Sequence, residues 1–152
     1  MLLLDRVRRF VRRHALFGAS DRIVAAVSGG SDSVALLHLL RDLHEAGEVC
    51  LAGAAHFDHR LRAASARDRQ CAADAAHALG VEFIDGADDV LARARRERRS
   101  VEEAARLSRY EFFARARRAL GADRVALGHT RDDQAETVLL RLVRGAGPRG
   151  LS

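Results

Sequence analysis

The sequence predicts an α/β fold with a parallel sheet covered by helices on both faces. Three observations predict it. Continuously apolar runs of strand length recur at 22–27, 49–55, 81–84 and 124–128, separated by stretches of helical spacing. Such alternation calls for crossover helices, and strands without a polar face are buried on both sides. Glycines at 18, 47, 80 and 121 close the helical stretches, where a left-handed turn suits them best. Finally, 152 residues with 48% hydrophobic and 31% charged side chains fit one globular domain.

The elements follow in order. Leu4, Val7, Phe10, Val11 and His14 repeat at helical spacing, so a first helix is read over 2–17, ending at Gly18. Strand one (22–27) leads through Ser28–Ser33 into a helix that runs to 46–47. Strand two (49–55) is followed by a polar loop, 56–66, and a helix, 67–79. A short strand at 81–84 precedes a helix at 88–98. Ser100-Val101-Glu102-Glu103 reads as a capping box that opens a long helix to about 120. Strand four (124–128) is followed by a polar turn and a last helix ending near Arg144, stopped by Gly145 and Gly147. Right-handed crossovers then bring the segments after strands one, two and four to one carboxyl edge, where such sheets bind ligands.

Those three segments carry the polar clusters. The first is Ser28-Gly29-Gly30-Ser31-Asp32-Ser33. A strand, a turn of small residues and a helix N-terminus present backbone N–H groups to an anion. Gly29 and Gly30 permit a close approach to phosphate, the serines add hydroxyl donors, and Asp32 suits a magnesium ion. A Walker A loop requires a lysine after its glycines, and this chain contains no lysine at all. The second cluster is His56-Phe57-Asp58-His59, and the third is Gly128-His129-Thr130-Arg131-Asp132-Asp133-Gln134-Ala135-Glu136-Thr137. Asp132 and Asp133 would also serve as helix-capping groups. On the long helix, Glu102, Arg106, Arg109 and Tyr110 share a face.

The Ser-Gly-Gly-Ser-Asp-Ser loop resembles the signature of the pyrophosphatase-loop (PP-loop) ATP enzymes. His56-Phe57-Asp58-His59 with Leu61-Arg62, Glu102-Glu103-Ala104-Ala105-Arg106 through Arg109-Tyr110, the Gly128–Thr137 segment and Arg141 with Arg144-Gly145 together resemble the tRNA(Ile)-lysidine synthetases of that family. The resemblance covers essentially the whole chain. It implies a Rossmann-like fold of the adenine nucleotide alpha hydrolase type and a ligase reaction. ATP and Mg2+ would be the cofactors. The wobble cytidine in the anticodon loop of an isoleucine tRNA would be adenylated, and free lysine would displace AMP.

The resemblance also implies roles. Ser28, Gly29, Gly30, Ser31, Asp32 and Ser33 would hold pyrophosphate. His56, Asp58 and Gly128 would line the nucleotide site, and Arg106 would meet the α-phosphate. Asp32 and Asp133 would hold the metal, and His129 and Asp133 would stand at the reacting centre. Residues 1–152 would form the adenylating domain, without the C-terminal tRNA-binding domains of that family. Pairing into a homodimer follows from the same resemblance. A tRNA thiolase of the same fold, or a nucleotide-binding fragment without catalysis, are the other readings. The thiolases carry paired cysteine motifs, whereas Cys50 and Cys71 are unpaired and read as core thiols.

Composition bears on partners. The net charge is +5, the pI about 10.7, and all 26 basic residues are arginine. Arginine grips phosphate through a planar fork, so an RNA partner fits, although most of these side chains belong on solvated helix faces. No apolar run reaches membrane-spanning length, so no membrane partner is expected and the cytoplasm is the expected compartment.

Overall fold

The computed structural model describes residues 2–61, 65–131 and 134–144, with side chains described as far as Gly128. Its elements are α1 (Leu3–Arg13), β1 (Arg22–Ala26), α2 (Ser31–Glu45), β2 (Cys50–Asp58), α3 (Ser65–Ala78), β3 (Phe83–Ala87), α4 (Val90–Glu97), α5 (Val101–Ala119), β4 (Arg124–Arg131) and β5 (Gln134–Arg144). The sheet order is β3-β2-β1-β4-β5. The first four strands are mutually parallel, as the alternating pattern predicts, and β5 is antiparallel to β4.

Alternation along β1 builds the two layers. Ile23, Ala25 and Val27 point to one face, where they join Val7 and Val11 of α1, Leu36, Leu37, Leu40 and Leu43 of α2, and Ala72 and Ala76 of α3. Val24 and Ala26 point to the other, against Phe112, Phe113, Ala116 and Leu120 of α5. Complete burial of a leucine stabilises by about 1.5–3 kcal/mol, and four from α2 are at 0–1% exposure, so α2 anchors the fold. Val90 and Ala94 attach α4 to Ala104 of α5 in a satellite cluster. The parallel sheet is thus covered on both faces, as its unalternating apolar strands require.

Several expectations are corrected. The first helix ends at Arg13 rather than 17: Ala15 takes a left-handed turn (φ 48°) and Leu16 N–H donates to Val11 O (3.0 Å). That closure frees Leu16 and Phe17 to pack against the core. β2 runs on to Asp58, because β3 continues beside it, with Ala54 opposite Phe83 and Asp58 opposite Ala87. His56 and Asp58 therefore sit in a strand, not a loop, and β3 covers 83–87 rather than 81–84. The last helix is not found: residues 134–144 form β5, with Arg124 opposite Arg144 and His129 opposite Leu139. A short apolar run such as Val138–Val143 does not choose helix over strand by periodicity, and β4 would otherwise present an open edge of unpaired backbone groups. Cys50 is half-buried and Cys71 is exposed, so neither is a core thiol.

Candidate functional site at the carboxyl edge

The strand order reverses direction beside β1: the chain goes from β1 to β2 on one side and later crosses from β3 to β4 on the other. A crevice opens at the carboxyl ends of such diverging strands. Here it is a cleft of about 270 Å³ whose lining includes Ser28, Ser33, Phe57, Arg109, Phe113 and Gly128.

The loop after β1 is fixed by its own hydroxyls. Ser33 is buried, and its Oγ accepts from Ser28 N–H (3.0 Å) and donates to Gly30 O (2.9 Å). Ser28 Oγ lies 3.1 Å from Ser33 Oγ and accepts from Gly30 N–H (3.3 Å). Ser33 is therefore the brace of the turn. The two glycines divide their duties. Gly29 has φ +96°, and a Cβ there would stand 2.5 Å from Asp68 O and 2.8 Å from Asp68 Cα. Gly30 has an ordinary φ of −77° and precedes α2 as its N-cap without a side-chain cap. The first-turn N–H groups of α2 thus keep their capacity for an anion. Asp32 is an exposed residue in that first turn. Gly128 lets β4 pass α2 closely, since a Cβ there would meet Leu36 Cδ2 at 3.1 Å and Asp32 O at 3.7 Å.

A second cavity, about 310 Å³, adjoins the first and shares Ser28, Phe57 and His59 with it; His56, Asp58 and Asp68 also line it. His56 is 3% exposed, with Nδ1 2.8 Å from Val27 O. The carbonyl can only accept, so Nδ1 donates to it. Nε2 is buried and has no partner among the described residues. Asp58 Oδ1 accepts from Arg60 N–H (2.7 Å) and so shapes the turn at Arg60, whose φ is +55°. His59 packs edge-on against Phe57. Burial, above all, and then the Arg109 charge lower the pKa of His59, and Asp58 only partly opposes them. Its Nδ1 is also buried, with no partner among the described residues. An imidazole whose neutral form is favoured therefore stands where the two cavities meet.

Arg106 donates from Nε to the Tyr110 hydroxyl (2.7 Å), with its guanidinium over that ring. Arg109, one helical step on, supplies the arginine among the residues lining the cleft. The sequence placed Arg109 on the face shared with Glu102, Arg106 and Tyr110 without giving it a role, and it did not single out the aromatic walls Phe57 and Phe113. The signal was present: Arg109 and Phe113 are four residues apart on α5, hence on one helix face. His129 falls in β4, with its backbone opposite Leu139. Asp133 and Arg62 lie outside the described residues.

The polar loop, the paired histidines and the cationic wall thus meet at one edge. A family model described as "PP-loop domain" matches residues 5–152. A tRNA(Ile)-lysidine synthase of Geobacter sulfurreducens is 46% identical over 151 residues, which is 99% of this chain and 32% of that protein. One from Symbiobacterium thermophilum is 45% identical over 158 residues, 100% of this chain and 31% of that protein. The bifunctional protein TilS/HprT of Listeria monocytogenes serotype 4b is 36% identical over 147 residues, 97% and 22%. The chain spans about a third of the length of the synthases it matches.

Proposed function

The chain belongs to the PP-loop domain family, and from that premise we propose that it is the adenylating part of a tRNA(Ile)-lysidine synthase. It uses ATP and Mg2+ to activate the wobble cytidine of an isoleucine tRNA, and lysine then displaces AMP. The observation that carries this reading is the braced Ser28–Ser33 turn opening directly on the cleft between β1 and β4. Adenine fits between the apolar walls Phe57 and Phe113. The phosphates reach the uncapped first turn of α2, where N–H groups and the helix dipole favour anionic charge.

Arg106 and Arg109 supply positive charge from α5 for the α-phosphate, where charge develops as pyrophosphate departs. Asp32 suits the metal. Among the described residues no cluster of three or more potential ligands forms a dedicated metal cage, and Mg2+ needs none, since it binds through one or two carboxylates plus the nucleotide's phosphates. Asp133 and His129 complete the proposed set as metal ligand and reacting-centre group. In this reading the residues contribute position, charge and water exclusion, and the metal, when bound, neutralises phosphate charge. A cytidine in an anticodon loop is reachable because its base can be splayed from the stack. No described helix is long and apolar enough to cross a membrane. A cytoplasmic setting and pairing into homodimers belong to the same proposal.

The test uses ATP labelled at the α-phosphate, with Mg2+, lysine and an isoleucine tRNA transcript. AMP formation that requires the tRNA, followed by lysine attached to the RNA, is the expected outcome. ADP as the product would overturn the PP-loop chemistry. Asp32→Asn is expected to reduce AMP formation at least a hundredfold while leaving the melting temperature nearly unchanged, because Asp32 is exposed.

A further inference from the structure

A further cavity lies away from the cleft. It is about 550 Å³, open to solvent, and lined by Arg6, Arg9, Phe10, Arg13 and His14. All five belong to α1 or its C-cap. Arg6, Arg9 and Arg13 lie at i, i+3 and i+7, one face of the helix, and all three are exposed. The opposite face carries Val7 and Val11 into the core. Nearby carboxylates are already engaged: Asp5 and Glu48 both pair with Arg8, at 3.5 and 2.8 Å. Among the described residues, no acidic side chain lines the groove. Phe10 and His14 also line it, their rings in tilted contact with centroids 4.4 Å apart. Glu48 stands just before β2, so the Arg8–Glu48 pair ties α1 to the amino edge of the sheet, opposite the cleft.

We propose that this groove is a second binding site, for the phosphodiester backbone of RNA. Three arginine forks offer bidentate contacts to phosphate oxygens, and the Phe10 and His14 rings give a sugar or unpaired base a surface to pack on. An anionic membrane is disfavoured as the occupant. An interfacial helix needs a free apolar face, and that of α1 is already buried in the core. Backbone contacts carry no sequence information, so the groove binds RNA of any sequence. That the natural occupant is a tRNA, held at a place remote from the reacting base, rests on the function proposed above.

The test measures fluorescence anisotropy of labelled isoleucine tRNA and of an unrelated RNA hairpin over a salt series. The wild-type chain is compared with Arg6→Gln/Arg9→Gln/Arg13→Gln and with the corresponding triple lysine variant. The wild type is expected to bind both RNAs. The glutamine variant is expected to lose at least tenfold in affinity for both, and its log–log salt slope falls by about two, as lost phosphate contacts require. The lysine variant keeps most of the affinity. Melting temperature and ATP affinity stay at the wild-type values, since none of these side chains lies in the core or the cleft. Unchanged affinity and slope in the glutamine variant would overturn the proposal. So would absence of RNA binding by the wild type, or arginine-dependent binding to phosphatidylserine vesicles without binding to RNA. Arginine-dependent RNA binding by a chain that binds no ATP would uphold the groove and overturn the function proposed for the cleft.

Discussion

Gly29 is the residue with the least freedom to change. Its φ of +96° disfavours any side chain, and the backbone of Asp68 occupies the place of a Cβ. Gly29→Ala is therefore expected to destabilise by about 1–3 kcal/mol and to weaken ATP binding at least tenfold, measured by thermal melting and calorimetric titration. Gly30→Ala is expected to be milder, because the nearest atom to its Cβ, Ser28 Oγ, is 3.5 Å away. The motif marks both glycines alike; only the fold separates them, since the contact with Asp68 joins positions 39 residues apart in sequence. His59 was legible as a polar residue after β2, but not its protonation. Burial and the Arg109 charge hold its pKa below the ordinary value of 6.5, so the ring is neutral at pH 7. NMR titration is expected to show this, with Arg109→Gln raising the value and Asp58→Asn lowering it further. A lowered histidine pKa favours the neutral form in the folded state. Its contribution to stability is present above about pH 6.5 and is lost as pH falls through the folded value.

Among the elements, α4 and α5 are joined by a polar knot as well as by the small apolar cluster of Val90, Ala94 and Ala104. Arg93, nearly buried, makes paired bonds to Glu111 (2.8 and 2.9 Å), another to Glu97 (2.9 Å) and one to Ser108 Oγ (3.0 Å), while Ser108 donates to Asp88 (2.5 Å). Arg93→Met takes away the donor to buried Ser108, which keeps only its bond to Asp88, and the bonds to Glu111 and Glu97 with it, so it is expected to cost about 1–3 kcal/mol in denaturant unfolding. The Arg93 hydrogen bond lowers the Glu111 pKa. Glu111 then stabilises the fold above its ordinary carboxylate range, and that contribution is lost as pH falls below it. Glu111→Gln is expected to flatten the loss of stability on acidification, followed by melting temperature at successive pH values. The capping box at Ser100 was readable from four residues, and Ser100 Oγ does accept from Glu103 N–H (3.1 Å). Local signals of this kind survive folding. The length of β2 did not, because His56–Asp58 are held by their neighbour β3, and no property of those residues alone marks them as strand. Residues 134–144 differ for the same reason: the edge of β4 decides their state.

At the scale of the molecule, alternating apolar runs and helical stretches carried the architecture, because two-sided burial leaves a simple trace in composition. The convergence of the loop after β1 with the end of β4 was legible too, since chain order and crossover handedness dictate it. The walls of the cleft were not. Phe57, Arg109 and Phe113 become neighbours only when α5 docks on the sheet, a fact of tertiary packing. The contact between Gly29 and the Asp68 backbone has one more consequence at this scale. It ties the anion-binding turn to the first turn of α3, so one cannot rearrange without disturbing the other. Amide protons at the start of α3, which need not touch nucleotide, should therefore exchange with deuterium more slowly when the cleft is filled. That region becomes a remote gauge of occupancy, readable by mass spectrometry without labelling the ligand.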